Sequence, residues 1–291
     1  MTILETVFLV IFWAWVLSAA LFLRNTLLPR LPISRTPEQF NLHAETVRFR
    51  ATDGLLLEGW KLSGEPSHPW IVLCHGVGSN RSDLLEIGAG LSERGFNLFL
   101  FDFRGHGGSD GRATSFGWQE QRDLEGVLAF LGQETDVSAK PYGVYGISMG
   151  GSVALMVAAR DERIGAVAAD SPYTNLDESI GRHRALMYPF LPKIPFHWFL
   201  RSTYRLRFGV WPQQVSPEEG ARQLSRCPLL LIQGAEDPRM PREGAERMFT
   251  SAARPKELWI VEGAAHLEGY AVNPQAYLRR LGQFFEASLE R

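Results

Sequence analysis

Tyr142-Gly143-Val144-Tyr145-Gly146-Ile147-Ser148-Met149-Gly150-Gly151 decides how the rest of this chain is read. A short apolar run leads into Gly-x-Ser-x-Gly, and an apolar stretch with helical promise (Gly151 to Arg160) follows. A serine between a predicted strand and a predicted helix, flanked by glycines, sits on a sharp turn that pushes its hydroxyl outward. The amide of Met149, at the start of that helix, has no intrahelical acceptor and is free to face an anion.

Similar runs recur on both sides. Trp70–Cys74, Asn97–Phe101, Ile164–Ala169, Pro228–Ile232 and Glu257–Val261 are short, apolar and not alternating with polar residues. That is the pattern of strands covered on both faces of a parallel sheet. Helix candidates separate them: Asp83–Arg94, Trp118–Leu131, Gly151–Arg160 and Pro241–Ala252. Ahead of the series, Thr46–Ala51 and Leu55–Leu62 flank Thr52-Asp53-Gly54 and read as a hairpin. Strand–helix alternation predicts a doubly wound α/β sheet whose site lies at the carboxyl ends of its strands.

Two of those strand ends supply partners for Ser148. A serine hydroxyl needs a base, and the base needs an orienting carboxylate. His266 follows the last predicted strand in Val261-Glu262-Gly263-Ala264-Ala265-His266. Asp237 follows the preceding one in Gln233-Gly234-Ala235-Glu236-Asp237-Pro238, with adjacent Glu236 as its rival. A developing oxyanion needs two donors. Met149 N–H is one candidate, and Val77 N–H, in His75-Gly76-Val77-Gly78 after the Trp70 strand, is the other. His75 reads as a residue that fixes this loop rather than as a base.

Composition bounds the alternatives. The chain has 291 residues, 45% of them apolar, with a formal net charge of -2. That argues against disorder and against a generally basic nucleic-acid binder. The two cysteines, Cys74 and Cys227, cannot build a disulfide framework, and the histidine spacings suit no metal; no cofactor is expected.

Two regions depart from the average. Thr6 to Leu23 is an uncharged run of 18 residues. As a helix it reaches about 27 Å, close to the ~30 Å hydrocarbon thickness of a bilayer. A membrane anchor over residues 1–24 is the expectation, with Arg24, Arg30 and Arg35 placing the following domain in the cytoplasm. Ser18-Ala19-Ala20 leaves a cleaved signal peptide as the alternative, against the absence of Lys or Arg before the run. Pro29, Pro32 and Pro37 make residues 25–43 read as a stiff linker, and the folded domain is expected over 44–291. The second region lies in a long insertion, about 171–225, between two predicted strands. From Ser179 to Pro217 it holds Arg182, Arg184, Lys193, Arg201, Arg205 and Arg207, many aromatics and no acid. Such a segment suits a cap over the site or contact with a bilayer interface.

Taken together, these residues resemble the serine α/β-hydrolases, in which the triad follows the chain order Ser, Asp, His. Asp102-Phe103-Arg104-Gly105-His106-Gly107-Gly108-Ser109-Asp110-Gly111 is similar to the family's D-x-R-G-x-G-x-S segment. His75–Arg81, Gly146–Gly151 and Asp170–Asn175 are similar to the membrane-anchored branch holding the BEM46-like and serine aminopeptidase-like hydrolases. The resemblance covers about residue 44 to the C-terminus. It implies an α/β-hydrolase fold with Ser148 as nucleophile, His266 as base, Asp237 as its orienter, Met149 and Val77 as oxyanion donors, and Asp102 and Arg104 as structural. The expected function is cleavage of an ester or thioester of a lipid-like or acylated substrate. A peptidase of the same fold, with Asp177, Glu178, Glu218 or Glu219 receiving a substrate amine, and a non-catalytic scaffold are the alternatives.

Overall fold

The computed structural model describes residues 2–27, 30–65, 67–133, 141–190, 193–225, 227–253 and 255–289. Helix α1 (Ile3–Thr26) precedes the hairpin strands β1 (Glu45–Arg50) and β2 (Leu56–Leu62). There follow β3 (Trp70–Cys74), α2 (Leu85–Ser92), β4 (Asn97–Phe101), α3 (Glu120–Gln133), β5 (Tyr142–Ile147), α4 (Met149–Ala158) and β6 (Ile164–Asp170). The insertion contributes α5 (Leu176–Met187), α6 (Lys193–Phe208) and α7 (Pro217–Gln223). The chain closes with β7 (Leu229–Gly234), α8 (Arg242–Ser251), β8 (Lys256–Val261), α9 (Gly269–Val272) and α10 (Pro274–Leu289).

Among the described residues eight strands form one sheet, ordered β1-β2-β4-β3-β5-β6-β7-β8. β1 and β2 pair antiparallel, as do β2 and β4, and every other pair is parallel. The unbroken apolar runs split by the strand's period of two. In β3, Trp70, Val72 and Cys74 enter the core on one face, with Leu124, Val153 and Met248. Ile71 and Leu73 enter the core on the other, with Leu85, Leu281 and Phe285. Both faces are covered, so no polar alternation is needed. Burial raises the pKa of both thiols, that of Cys227 to about 12, as expected of core residues.

The insertion divides. α7 is not part of a cap: Gly220 lies so close to α4 that a Cβ there would stand 2.7 Å from the Leu155 carbonyl. Only α5, α6 and the turns around them rise over the carboxyl ends of the strands.

The segment after α1 differs from a free linker. Pro29 lies outside the described residues, but the Asn80 side-chain amide donates to the carbonyls of Leu31 and Pro32 at 3.4 and 3.2 Å. Arg35 pairs with Glu86 at 2.7 Å, Pro37–Phe40 is a turn of 3₁₀ helix, and Leu42 is buried in the core. Its apolar residues find a groove on the domain, which stiffness alone does not predict.

Candidate active site

From β3 the sheet grows to β4 on one side and then to β5 on the other, so the order of strand addition reverses while all three strands stay parallel. The crevice at such a switch point is where open α/β sheets bind ligands. The loops after β3 and β5, carrying Val77 and Ser148, meet there.

Ser148 joins β5 to α4 with φ 51 and ψ -114, a left-handed conformation that is strained for a residue with a side chain. Close packing holds the turn. A Cβ on Gly150 would overlap the Cys74 carbonyl, and one on Gly146 would overlap the Gly150 backbone. The helix opens at Met149, two residues earlier than the sequence implies, so its first amide lies directly beside the serine. Neither Met149 N–H nor Val77 N–H has an acceptor among the described residues.

His266 Nε2 stands 3.3 Å from Ser148 Oγ. Its Nδ1 stands 2.6 Å from Asp237 Oδ2, which fixes Nδ1 as the protonated nitrogen and leaves Nε2 free to accept the serine proton. Asp237 Oδ1 accepts from the amides of Arg239 and Met240 at 2.8 and 2.9 Å. Burial works against the charge on Asp237, yet the bond from His266 and these amides hold its carboxyl below the usual range. The neighbouring loops are stitched together, Ala235 N to Val261 O and Glu236 N to Ala264 O, each at 2.9 Å. Glu236 itself is exposed; the carboxylate that meets the imidazole is that of Asp237.

The loop bearing Val77 rests on two buried histidines. Phe103 N donates to His75 Nε2 at 3.0 Å, so His75 Nδ1–H donates to the Gly76 carbonyl at 2.7 Å. Burial and the neighbouring His106 ring push the His75 pKa well below its ordinary value. His106 accepts from Gly78 N at 3.2 Å and donates to Arg104 O at 2.9 Å. Nothing in the spacing of His106 assigns it this role; its place within the Asp102–Gly111 motif is the one signal that points to it. Asp102 accepts from Arg81 N and Gly108 N at 2.7 and 2.8 Å and forms an ion pair with the Arg81 side chain. Arg104 pairs with buried Asp123 at 2.6 Å and with Asp53 at 2.9 Å. Both motif charges thus tie down loops beneath the crevice.

Above Ser148 and His266 lies a cavity of about 470 Å³, walled by Phe116, Tyr173, Leu176, Ile180, Phe196 and Leu200 among others. α1 reaches it too, through Ser18, Leu21, Phe22 and Asn25. The acids considered for binding an amine are engaged elsewhere. Asp177 pairs with His197 and Arg201 at 3.2 and 3.3 Å, Glu178 and Glu218 pair with Arg247, and Glu219 pairs with Arg222. Among the described residues no group of three or more acids, histidines or cysteines could hold a metal.

A mostly parallel sheet with a serine at the strand–helix turn, and a capped apolar cavity above it, defines an α/β hydrolase. The chain belongs to the Alpha/beta hydrolase family, whose model matches residues 71–280. It is 30% identical to the YqkD protein of Bacillus subtilis over 80% of this chain and 76% of that one. It is 28% identical to the lysophosphatidylserine lipase ABHD12 of Danio rerio over 69% of this chain but only 52% of the relative. Among solved structures, the Pyrococcus furiosus esterase Pf2001 superposes with a TM-score of 0.77 at 26% identity, covering 91% of this chain and 99% of that one.

Proposed function

We propose that this chain is a membrane-anchored serine hydrolase that cleaves an ester or thioester of a lipid-like or acylated substrate. The observation that carries the reading is the run of contacts from Ser148 Oγ to His266 Nε2 at 3.3 Å and from His266 Nδ1 to Asp237 Oδ2 at 2.6 Å, beneath an apolar cavity. His266 takes the Ser148 proton as Oγ attacks the carbonyl carbon, and Met149 and Val77 N–H receive the oxyanion. The imidazolium then protonates the departing oxygen or sulfur, leaving an acyl-serine. Water, deprotonated by the same imidazole, releases the acid and restores Ser148. The 3.3 Å approach is long for a hydrogen bond, as is common before substrate closes such a site.

The names of the relatives, an esterase and a lysophospholipid lipase, support the ester reading. α1 is the one described helix long and apolar enough to cross a membrane. Its Ser18, Phe22 and Thr26 are buried against the domain; cleavage after Ala20 would remove packed Ser18 and cut the helix that seats the other two, which supports retention of the anchor. Exposed Leu186, Met187, Phe190, Ile194 and Trp198 on the α5–α6 side of the cap fit contact with a bilayer interface. The flanking arginines favour a cytoplasmic domain.

A peptidase has one observation in its favour: Asp83 lines the cavity. That carboxylate already accepts from Ser79 Oγ at 2.6 Å and faces Arg35 at 4.0 Å, which leaves it poorly placed to receive a substrate amine.

The test is labelling by a fluorophosphonate. The wild-type protein is expected to react and Ser148→Ala is expected not to; equal labelling of the two would sink the assignment. A panel of acyl esters, thioesters and aminoacyl amides then ranks the substrate classes.

A further inference from the structure

α1 has two distinct lengths. Ile3 to Trp13 is largely exposed, with Ile3 at 86% and Trp13 at 63%. From Ser18 the helix turns one face inward: Ser18 is fully buried, and Phe22, 4% exposed, meets the rings of Tyr204 and Phe208 edge-on at 6.0 and 6.3 Å. The helix end is pinned as well, because Thr114 N donates to the Thr26 carbonyl at 3.0 Å. An anchor that served only to tether would need none of these contacts.

The lengths matter in a bilayer. A hydrocarbon core of ~30 Å takes about 20 helical residues at ~1.5 Å each. Counted from Thr6, where the uncharged run begins, 18 residues reach Leu23, one past Phe22. The inward face of Ser18–Phe22 is therefore at once the inner end of the membrane-spanning stretch and a side of the cavity above Ser148. We infer that α1 is a wall of the acyl pocket as well as an anchor, that an acyl chain reaches Ser148 from the bilayer along this helix, and that Leu21 limits its length. This rests on the serine-hydrolase reading and adds to it a specificity residue and a bilayer-resident acyl substrate. The cavity, about 470 Å³, falls toward the lower half of the ~300–1,000 Å³ common for small-ligand sites, which fits one acyl chain.

The experiment uses the full-length protein reconstituted in phosphatidylcholine vesicles, with p-nitrophenyl butyrate, laurate and palmitate as substrates. Leu21→Trp puts an indole into the cavity. It is expected to lower the laurate-to-butyrate ratio of kcat/KM by about tenfold or more. Leu17→Trp, one turn away at an exposed position that does not line the cavity, is expected to leave the ratio unchanged. Leu21→Ala, which adds no bulk, guards against misfolding of the tryptophan variant and is expected to shift preference toward chains longer than laurate. A ratio indifferent to both Leu21 changes, or equally moved by Leu17→Trp, overturns the inference. Failure of the underlying reading shows separately, as a wild-type protein whose Ser148 takes no fluorophosphonate label.

Discussion

The Tyr277 hydroxyl donates to Asp170 Oδ2 at 2.6 Å, linking the C-terminal helix α10 to the strand end that holds the serine turn. The Asp170 carbonyl accepts from Ser148 N at 2.8 Å, so the same residue serves the turn with its backbone and α10 with its side chain. Ser171 Oγ covers the other carboxyl oxygen at 2.7 Å, and Tyr145 stands behind Tyr277 at 2.9 Å. Burial outweighs these donors and leaves the Asp170 pKa raised.

Removing the donor should therefore have a pH signature. A raised carboxyl pKa means the folded state holds its proton longer than the unfolded state, so this group's contribution to stability falls as pH rises from the ordinary carboxyl value toward the folded one. Tyr277→Phe raises the folded value further. Denaturant titration should show a loss of about 1–3 kcal/mol at neutral pH, shrinking toward pH 4. A loss independent of pH would show that Asp170 does not need this donor for its charge.

Arg81 and Asp102 form the second buried pair worth breaking. Their side chains are 4% and 0% exposed, and the guanidinium also stacks over the Trp60 ring at 4.5 Å. Arg81→Leu strands a carboxylate out of water and should cost about 3–5 kcal/mol. Adding Asp102→Asn removes the stranded charge, and thermal melts should recover part of the loss. No recovery would assign the cost to lost packing on Trp60.

Asp237 and Glu236 are separable by kinetics. Asp237→Asn keeps the shape but lets the amide favour the wrong imidazole tautomer, and kcat for ester hydrolysis should drop by about 10⁴ with KM little changed. Glu236→Ala should leave kcat within about twofold. The reverse ranking would make Glu236 the orienting acid.

Cap charge gives a fourth test. Arg205 and Arg207 are exposed on α6, and each basic residue near an anionic surface adds up to about 1 kcal/mol of attraction. Reversing both to Glu in the full-length protein should slow its transfer from detergent micelles into vesicles containing phosphatidylserine by about tenfold or more, and leave transfer into phosphatidylcholine vesicles unchanged. Equal effects on both would remove the electrostatic share of membrane contact.

The sheet was legible because burial on both faces leaves a plain mark, an apolar run bounded by glycines, and nearly every boundary falls within a few residues of its predicted place. That Ser148, Asp237 and His266 meet was legible because each follows a strand, and strands of a parallel sheet deliver their ends to one rim. The docked end of α1 was not. A helix apolar on all sides looks the same against lipid as against Tyr204 and Phe208. Nor was the division of the insertion: α7 differs from the cap helices by what Gly220 touches, a contact with Leu155 that lies far off in sequence. His106 was missed for the same reason, since the loop it supports lies 28 positions away.

The seating of Phe22 on α6 also sets an order of assembly. α1 leaves the ribosome first, while Tyr204 and Phe208 follow about 180 residues later, roughly 10–40 s of synthesis at ~5–20 residues per second. A nascent chain inserted by α1 would hold Phe22 against lipid throughout that interval. In such a chain Phe22 would exchange lipid for Tyr204 and Phe208 only once α6 had been made, with β7, β8 and the loops that carry Asp237 and His266 still to follow.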